Sequence, residues 1–269
     1  MPLAGTPAVD DGQVLTFAQV GDRTFAGGTF TSVAGVARRG ILAMQSPSYA
    51  LSTDFNPVVD GDVNALLPGT AAGTLFIGGT FKTVGGVTSK ALALVDTTTG
   101  ARITTFASNT FNGIVNTIKR TGNQLIIGGT FTIVSGQPRS GLASLDATTG
   151  ALTSFVTNVV TVNHNWTPTN GAQKGVVGVQ DLTITPDGSK LVAIGNFKYV
   201  DGLPRDQVVM LDLTGSTAVV RDDWATSATW TCPPTARFSP SPRAGHAMRQ
   251  HGTLRDQHVR LGHTADLGQ

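Results

Sequence analysis

Apolar residues in this chain come in short runs, where they alternate with polar residues or continue for a few positions. The stretch 63–106 shows this most clearly, with the segments "VNALLP", "TLFIGGTF", "KALALVD" and "ARITTF" separated by the turns "GTAAG", "VGG" and "TTTG". None of these segments has the periodicity of an amphipathic helix. The stretch therefore predicts four short antiparallel strands, each buried on one or both faces.

The same pattern occurs four times. The segment "LFIGGTFKTVGGVTSKALALVDTTTGAR" (75–102) returns as "LIIGGTFTIVSGQPRSGLASLDATTGAL" (125–152), and weaker forms are "TFAGGTFTSVAGVARRGILAMQ" and "LVAIGNFKYVDGLPRDQVVMLDLTG". The motif phenylalanines, Phe30, Phe81, Phe131 and Phe197, are 51, 50 and 66 residues apart. The sequence thus divides into four units, 14–62, 63–114, 115–178 and 179–231, and the third carries an insertion of roughly 15 residues.

A unit of about 50 residues with four antiparallel strands has the size of one β-propeller blade. A single unit cannot bury both faces of its sheet, so neighbouring copies must cover them. We therefore predict an all-β fold, a β-propeller with four recognisable four-stranded blades that form an incomplete ring. Residues 1–13 are a candidate closing strand.

Several repeated residues have structural interpretations. The pair Gly78–Gly79 would allow backbones to approach closely near the centre, and the phenylalanine that follows would wedge between adjacent blades. The aspartates of "LVDTTTG" and "SLDATTG" would accept backbone N–H bonds in their hairpins, with Gly100 and Gly150 at positive φ.

Composition supports an all-β fold and argues against two classes of protein, nucleic-acid binders and membrane-spanning proteins. Charged residues make up 13% of the chain, there are 33 glycines, and all 17 acidic residues are aspartate, which favours turns over helices. Residues 1–231 carry 14 Lys+Arg and 15 Asp, so this body lacks the basic character of a nucleic-acid binder. No apolar run approaches the roughly 20 residues of a membrane span, and the first residues do not resemble a signal peptide.

The segment 232–269 has a different composition and predicts an irregular, disordered tail. It contains Cys232, the single cysteine, and four of the five histidines, His246, His251, His258 and His263. A GC-rich gene read out of frame produces such a mixture of Arg, Pro, Gly and His, and we favour this origin. A genuine disordered tail, a histidine metal tract and a basic arm for nucleic acid are the alternatives.

The insertion 155–178 is the first place to look for a binding site, because it links two blades on the face where propellers most often bind ligands. An exposed tryptophan flanked by amides and a histidine suits a sugar-stacking platform; alternatively, the tryptophan packs as a lid over the neighbouring blade. The candidate ligand-binding residues are His164, Asn165, Trp166, Asn170 and Lys174.

Other candidates have simpler explanations. Asp60 and Asp62 could bind Ca²⁺, but no third carboxylate follows at EF-hand spacing, so turn acids are favoured. Asp222 and Asp223 could be paired acids of a glycosidase, but neighbouring strand residues point to opposite faces. A cationic residue recurs at nearly matching positions of the four repeats, as Arg38, Lys90, Arg139 and Arg205. These four side chains could form a ring that binds an anion, although a structural bond from each to a turn carbonyl or an aspartate is favoured.

The recurring motif "GGTFTxVxGxxRxxLAxLDxxTGxL…F" resembles the delta-60-repeat β-propellers, a kelch-like and quinoprotein-like group of bacterial repeat proteins. The resemblance covers about residues 14–230. It implies a propeller that is usually extracellular, joined to other domains of a longer chain, and without mapped catalytic residues. The hairpin "LDATTGALTSF" also resembles that of quinoprotein propellers, with Phe155 where those favour tryptophan, but no cofactor constellation accompanies it.

These observations predict a non-enzymatic binding module of a secreted or cell-surface bacterial protein, with a glycan or a protein as ligand and with no cofactor, metal or catalytic residue. No Ser–His–Asp set is suggested, because His164 is the only histidine before residue 232, and no phosphate-binding loop of the GxxxxGK[ST] type appears. Two alternatives remain: a polysaccharide hydrolase or lyase that uses aspartates at the propeller mouth, and a structural spacer.

Overall fold

The computed structural model describes residues 6–164 and 175–224, all within the compact unit Met1–Ala228. The tail predicted for 232–269, with Cys232 and its four histidines, lies outside these residues. Every regular element in the described part is a β-strand. The described residues accordingly contain no helix that is long and apolar enough to cross a bilayer. The all-β prediction is confirmed.

In chain order, the strands are β1 (Val14–Val20), β2 (Arg23–Gly28), β3 (Ser32–Val33), β4 (Val36–Ala37), β5 (Ile41–Gln45), β6 (Ala50–Leu51), β7 (Val63–Pro68), β8 (Thr74–Gly79), β9 (Thr83–Val84), β10 (Val87–Thr88), β11 (Leu92–Asp96), β12 (Val115–Thr121), β13 (Gln124–Gly129), β14 (Ile133–Val134), β15 (Gln137–Pro138), β16 (Leu142–Asp146), β17 (Leu152–Thr153), β18 (Val160–Thr161), β19 (Gly178–Ile184), β20 (Lys190–Asn196), β21 (Tyr199–Val200), β22 (Leu203–Pro204), β23 (Val208–Asp212) and β24 (Val219–Val220).

Each repeat forms one antiparallel sheet in simple sequential order. Sheet 1 is β1-β2-β5-β6, sheet 2 is β7-β8-β11, sheet 3 is β12-β13-β16-β17 and sheet 4 is β19-β20-β23-β24. Sheet 2 has three full strands, and a single bridge between Val95 and Arg102 marks the fourth. The first strands are neighbours across the repeats, because β7 contacts both β1 and β12, and β12 contacts β19. The four sheets are therefore propeller blades with these strands innermost.

A second, smaller sheet follows the second strand of the blade in every repeat, where the sequence suggested only a turn. The hairpins are β3-β4, β9-β10, β14-β15 and β21-β22. A residue from the preceding connection pairs with each hairpin, through the bridges Val9–Val33, Val59–Val84 and Phe111–Val134 and through β18 against β21. Within residues 6–13, Val9 thus belongs to a small sheet and not to a blade.

The hydrophobic core lies between successive sheets. Phe25 of sheet 1 packs with Leu75 and Ile77 of sheet 2, and Phe76 of sheet 2 packs with Leu125 and Ile127 of sheet 3. The four motif phenylalanines are at most 1% exposed. Phe81 joins the cluster between sheets 1 and 2 and Phe131 the cluster between sheets 2 and 3, as the wedge interpretation predicts.

The two glycines of each pair have different neighbours. A Cβ on Gly128 would lie 2.8 Å from Cγ1 of Val179 on the next inner strand, whereas a Cβ on Gly129 would lie 2.0 Å from the carbonyl oxygen of Ile114 in the same sheet. The first glycine thus permits blade-to-blade packing, and the second permits close backbone approach within the blade.

The recurring arginines are structural. Arg38 and Arg205 are each 5% exposed. Each arginine donates to a backbone carbonyl at or after the outermost strand of its own repeat: Arg38 to Ser52 and Phe55, Arg139 to Thr153, and Arg205 to Arg221. Arg139 and Arg205 also donate to the carbonyls of the preceding prolines, Pro138 and Pro204, in the small hairpins. Lys90 is exposed and does not take this role. In its repeat, Arg102 donates to the carbonyl of Phe106, so the four-cation ring does not form.

The hairpin aspartates behave as predicted. Oδ1 of Asp146 accepts the backbone N–H groups of Thr148 and Thr149 at 3.0 and 2.7 Å, and Gly150 has φ of 77°. These bonds, led by that from Thr149, hold the pKa of Asp146 below its usual value. Asp96 repeats the arrangement with Thr98 and Thr99.

We expect stability to fall in acid because of these turns. A carboxyl group whose pKa is lower in the folded protein than in the unfolded chain stabilises the fold above the unfolded value, near pH 4, and this contribution is lost as pH falls through the folded pKa. Asp146→Asn keeps an oxygen acceptor but cannot titrate, so its melting temperature should fall less steeply below pH 4 than that of the wild type. Thermal unfolding followed by circular dichroism across this range measures the difference; parallel curves would show that this carboxylate contributes nothing to the pH dependence.

Candidate functional site

The inner strands of the four blades surround a central cavity of about 450 Å³. Each inner strand has a bulge after its first valine, and in repeats 2 and 3 the bulged residue is an asparagine that reaches the next blade. Asn64 donates to the carbonyl of Val115 at 3.2 Å, and Asn116 donates to the carbonyl of Val179 at 2.8 Å. These amides tie successive blades together at the centre.

The central cavity offers little catalytic chemistry in its described lining. Its one carboxylate is Asp181, which accepts a hydrogen bond from Thr117 Oγ1 at 2.9 Å. Lys119 is the one cation of the lining. A two-carboxylate hydrolase therefore lacks its second acid among the described residues of this cavity.

The other candidate aspartates are held by local contacts. Asp60 Oδ1 accepts the backbone N–H groups of Lys82 and Thr83 at 2.7 and 2.9 Å, as expected for a turn acid. Asp222 lies 3.8 Å from Arg205, while Asp223 pairs with Arg221, so each acid has its own arginine. Within residues 6–164 and 175–224, no group of three or more His, Cys or Asp side chains could hold a metal ion.

The two ends of the insertion between sheets 3 and 4 lie close together and are joined by hydrogen bonds. Asn163 Nδ2 donates to the carbonyl of Gly175 at 2.6 Å. Asn196, at the end of β20, accepts from the backbone N–H of His164 at 3.0 Å and donates to the carbonyl of Val176 at 3.1 Å. Of the candidate ligand-binding residues, His164 is described, whereas Asn165, Trp166, Asn170 and Lys174 lie outside the described residues.

His164 lies at the edge of a shallow pocket on the face of sheet 4 that points away from sheet 3. Its Nδ1 lies 2.7 Å from Oδ1 of Asp206, and both side chains are partly exposed. The pocket has a volume of about 550 Å³ and is lined by His164, Gln180, Ile194, Asn196, Gln207 and Val208, together with Gly195. Amide and imidazole groups thus lie beside aliphatic side chains in one concave surface.

The pocket lies where the fourth repeat departs from the other three. Ile194 occupies the position of Gly27, Gly78 and Gly128, and Asn196 occupies that of Thr29, Thr80 and Thr130. Gln207, at φ of 66°, occupies the position of Gly40, Ala91 and Gly141, which also have positive φ. Asp206 and Gln207 were missed in the sequence interpretation, although comparison of repeat 4 with its neighbours would have marked both. Departures from a consistent repeat are expected at functional or boundary positions.

Comparison with known proteins supports the fold. A family model described as the Rax2 C-terminal beta propeller domain matches residues 44–177, which span repeat 2 and all but the last residue of repeat 3. The match supports a β-propeller family without selecting the delta-60-repeat group. No curated protein sequence matches the chain.

Two solved structures align with part of this chain. Kuenenia stuttgartiensis hydrazine synthase aligns with a TM-score of 0.48 and 12% identity over 79% of this chain and 50% of that one. The computationally designed Ika8 protein aligns with a TM-score of 0.42 and 11% identity over 77% of this chain and 48% of that one. The chain therefore spans about half the length of either protein.

Proposed function

We propose that this β-propeller is a non-enzymatic binding module and that its fourth repeat carries a carbohydrate-binding site. The observation that carries the proposal is the concentration of non-consensus residues around one pocket beside His164. Residues that only maintain a repeated fold would follow the repeat there, as Gly78 with Thr80 and Gly128 with Thr130 do in repeats 2 and 3.

The chemistry of the pocket favours a carbohydrate. A sugar ring presents hydroxyl groups at its edge and C–H groups on its faces, so it needs amide-type hydrogen bonds next to an apolar surface. Gln180 and Gln207 provide amides, and Ile194 provides an aliphatic surface. The hydrogen bond to Asp206 orients the imidazole of His164. The insertion would add Trp166 as a stacking platform, with Asn165, Asn170 and Lys174 around it.

The same proposal extends to the parent protein. By its resemblance to the delta-60-repeat propellers, the chain would be part of a longer secreted or cell-surface bacterial protein, with other domains beside the propeller. A protein ligand at the same pocket and a pure spacer role are the competing functions. The spacer role predicts no ligand-induced change in melting temperature for any class of compound.

Glycan titration tests the proposal. Calorimetric titration with a panel of soluble oligosaccharides should identify a ligand, and both His164→Ala and Trp166→Ala should weaken its binding about tenfold, or about 1.4 kcal/mol. Asp206→Asn, which weakens the support of the imidazole and leaves His164 in place, should cause a smaller loss.

Lys119→Ala is the matched control, because it removes a polar side chain from the central cavity and leaves the His164 pocket intact. It should bind the glycan with unchanged affinity. Loss of binding in Lys119→Ala, with none in His164→Ala or Trp166→Ala, would move the site to the central cavity. A wild-type protein that binds none of the glycans would contradict the carbohydrate proposal.

A further inference from the structure

The last hairpin of sheet 4 differs from its counterpart in sheet 3. Leu211 pairs with Val220, nine positions later, whereas Leu145 pairs with Leu152, seven positions later. The hairpin of repeat 4 is therefore two residues longer. A pocket of about 460 Å³, here called the Asn158 pocket, lies between this hairpin, the small hairpin β21-β22 and the connection that precedes them.

Asn158 brings a buried acceptor without a donor to the wall of this pocket. Its equivalent in repeat 3, Asn109, uses both ends of its amide: Nδ2 donates to the carbonyl of Gly150 at 2.7 Å, and Oδ1 accepts from Ser135 Oγ at 2.9 Å. In repeat 4, Asp201 occupies the position of Ser135, and Asn158 Nδ2 donates to Asp201 Oδ2 at 2.6 Å. Asn158 is 6% exposed, and its Oδ1 has no hydrogen-bond partner among the described residues.

The carboxylate of Asp201 fixes the orientation of this amide. It only accepts hydrogen bonds, and its Oδ1 already accepts the backbone N–H of Val159 at 2.7 Å. The NH₂ group of Asn158 must therefore face Asp201, because a reversed amide would place oxygen against oxygen. In repeat 3 the other end of the amide meets the last hairpin, whereas the longer hairpin of repeat 4 borders the pocket and offers no donor. A buried acceptor in this state favours a ligand that donates to it.

The groups around the Asn158 pocket carry one net negative charge. The described lining contains two carboxylates, Asp201 and Asp222, and neither lysine nor arginine. Arg205, which is not part of the lining, lies 3.8 Å from Asp222 and balances one of the two charges. The pocket therefore suits a ligand with a single positive charge.

The remaining lining selects the kind of cation. An ammonium group has three N–H donors and no acceptor, which matches Asn158 Oδ1 and the two carboxylates. Leu203 and Val219, which are 37% and 56% exposed, line the same pocket and can cover the methylene groups of an alkyl chain. A calcium ion brings two charges and prefers about six to eight oxygen ligands, so this lining fits it less well.

We infer that the Asn158 pocket binds an alkylammonium group. The N–H donors of the ligand bond to Asn158 Oδ1 and to the carboxylates of Asp201 and Asp222, and its methylene groups lie against Leu203 and Val219. The lysine side chain of a protein partner and a free alkylamine share this chemistry. The inference does not rest on glycan binding, because this pocket shares no lining residue with the pocket beside His164.

The site is bounded by repeat 4 and by the connection before it. In repeat 2, the segment after the outermost strand pairs with the repeat that follows: Ala107 donates to the carbonyl of Thr149, and Phe111 pairs with Val134. Each small hairpin thus receives the segment that precedes its own repeat. The recognition groups of the Asn158 pocket accordingly require no further blade.

NMR titration of the full chain with n-butylamine, at pH 7 and constant ionic strength, tests the inference. The side-chain amide signals of Asn158 should shift with a dissociation constant on the order of 1 mM, as expected for a ligand of so few atoms. Tetramethylammonium has the charge but no N–H donor, so it should bind at least about tenfold more weakly. Nα-acetyl-lysine amide presents the same group on a backbone. If it binds more tightly than butylamine, the source is a lysine of a protein partner; equal affinities indicate a free amine.

Asp201→Ser is the decisive variant. It installs the residue that repeat 3 has at this position, where φ is 48° for Ser135 and 52° for Asp201, so the fold should tolerate the change. The serine would donate to Asn158 Oδ1, as Ser135 does to Asn109, and one carboxylate would be lost. The affinity for butylamine should therefore fall at least about tenfold. Asp222→Asn, at a side chain that is 89% exposed, should give a smaller loss.

Asp187→Asn is the matched control, because it removes the same charge from an exposed turn of repeat 4 outside the pocket. It should bind butylamine like the wild type, and so should His164→Ala, which separates this site from the glycan pocket. The inference would be overturned by a wild type that binds no amine, by Asp201→Ser protein that binds as tightly as the wild type, or by equal losses in Asp187→Asn and Asp222→Asn. Calcium ions that shift the Asn158 signals when butylamine does not would also overturn it.

Discussion

Gly129→Ala is expected to abolish the fold or to reduce its free energy of unfolding by about 4 kcal/mol or more, a size that few single substitutions reach. The added Cβ would lie 2.0 Å from the carbonyl oxygen of Ile114. Both backbones are fixed at this point, because Thr130 donates to that carbonyl at 3.0 Å and Gly129 donates to Gly141 at 3.0 Å. Relief of the contact would break the pairing of β12 with β13 where Val115 meets Gly129, beside the bulge.

The loss would be a large fraction of the roughly 5–15 kcal/mol that stabilises a typical domain. Gly215→Ala is the control, because the nearest heavy atom to its Cβ would be 3.4 Å away, an ordinary contact, and its φ is not left-handed. We expect that change to stay within about 0.5 kcal/mol. Guanidinium unfolding followed by circular dichroism compares the two; equal midpoints would mean that β12 and β13 lie farther apart than the structure has them.

Arg38→Ala is expected to lower the free energy of unfolding by about 3 kcal/mol. The side chain is 5% exposed, and it donates to the carbonyls of Ser52, at 3.0 Å, and Phe55. Its removal deprives two buried acceptors of a charged donor, and each such loss costs about 1–3 kcal/mol. Arg38→Lys should give an intermediate loss, because an ammonium group cannot reproduce the planar fork of the guanidinium.

Lys90→Ala is the informative control for this prediction. Sequence alignment of the repeats makes Lys90 nearly equivalent to Arg38, but the structure leaves Lys90 exposed and gives part of the role to Arg102. Urea unfolding should therefore show a change within about 0.5 kcal/mol for Lys90→Ala. Equal losses for the two alanine variants would show that the arginine bonds to Ser52 and Phe55 add nothing measurable.

The blades could be predicted from sequence because their determinants are local and repeated. Strand alternation, the Gly78–Gly79 pair and the aspartate turns each act over a few residues, and four copies make them visible. The role of Asp146 as an acceptor of backbone N–H groups, with Gly150 at positive φ, was predicted for the same reason. A local rule needs no knowledge of distant partners.

The small sheets and the arginine bonds could not be predicted in this way. Each small sheet requires a residue such as Val59 to meet a hairpin more than twenty positions later, and nothing in the intervening pattern fixes that meeting. Arg102 of repeat 2 likewise donates to a backbone carbonyl as Arg38 does in repeat 1, but from a different position in the repeat. The position of the receiving carbonyl in space decides which arginine can reach it. Asp206 was missed because its significance depends on its distance from His164 in space.

The amide links between inner strands bear on how such chains change length during evolution. Asn64 and Asn116 each need only a valine carbonyl on the next repeat, and every repeat begins with that valine. A duplicated unit would therefore arrive with both halves of the joint already encoded, so gene duplication could insert a copy between repeats 2 and 3 without any compensating mutation. A copy inserted after repeat 4 would place its first valine opposite Ile194 instead of a glycine, so this junction would need a compensating mutation.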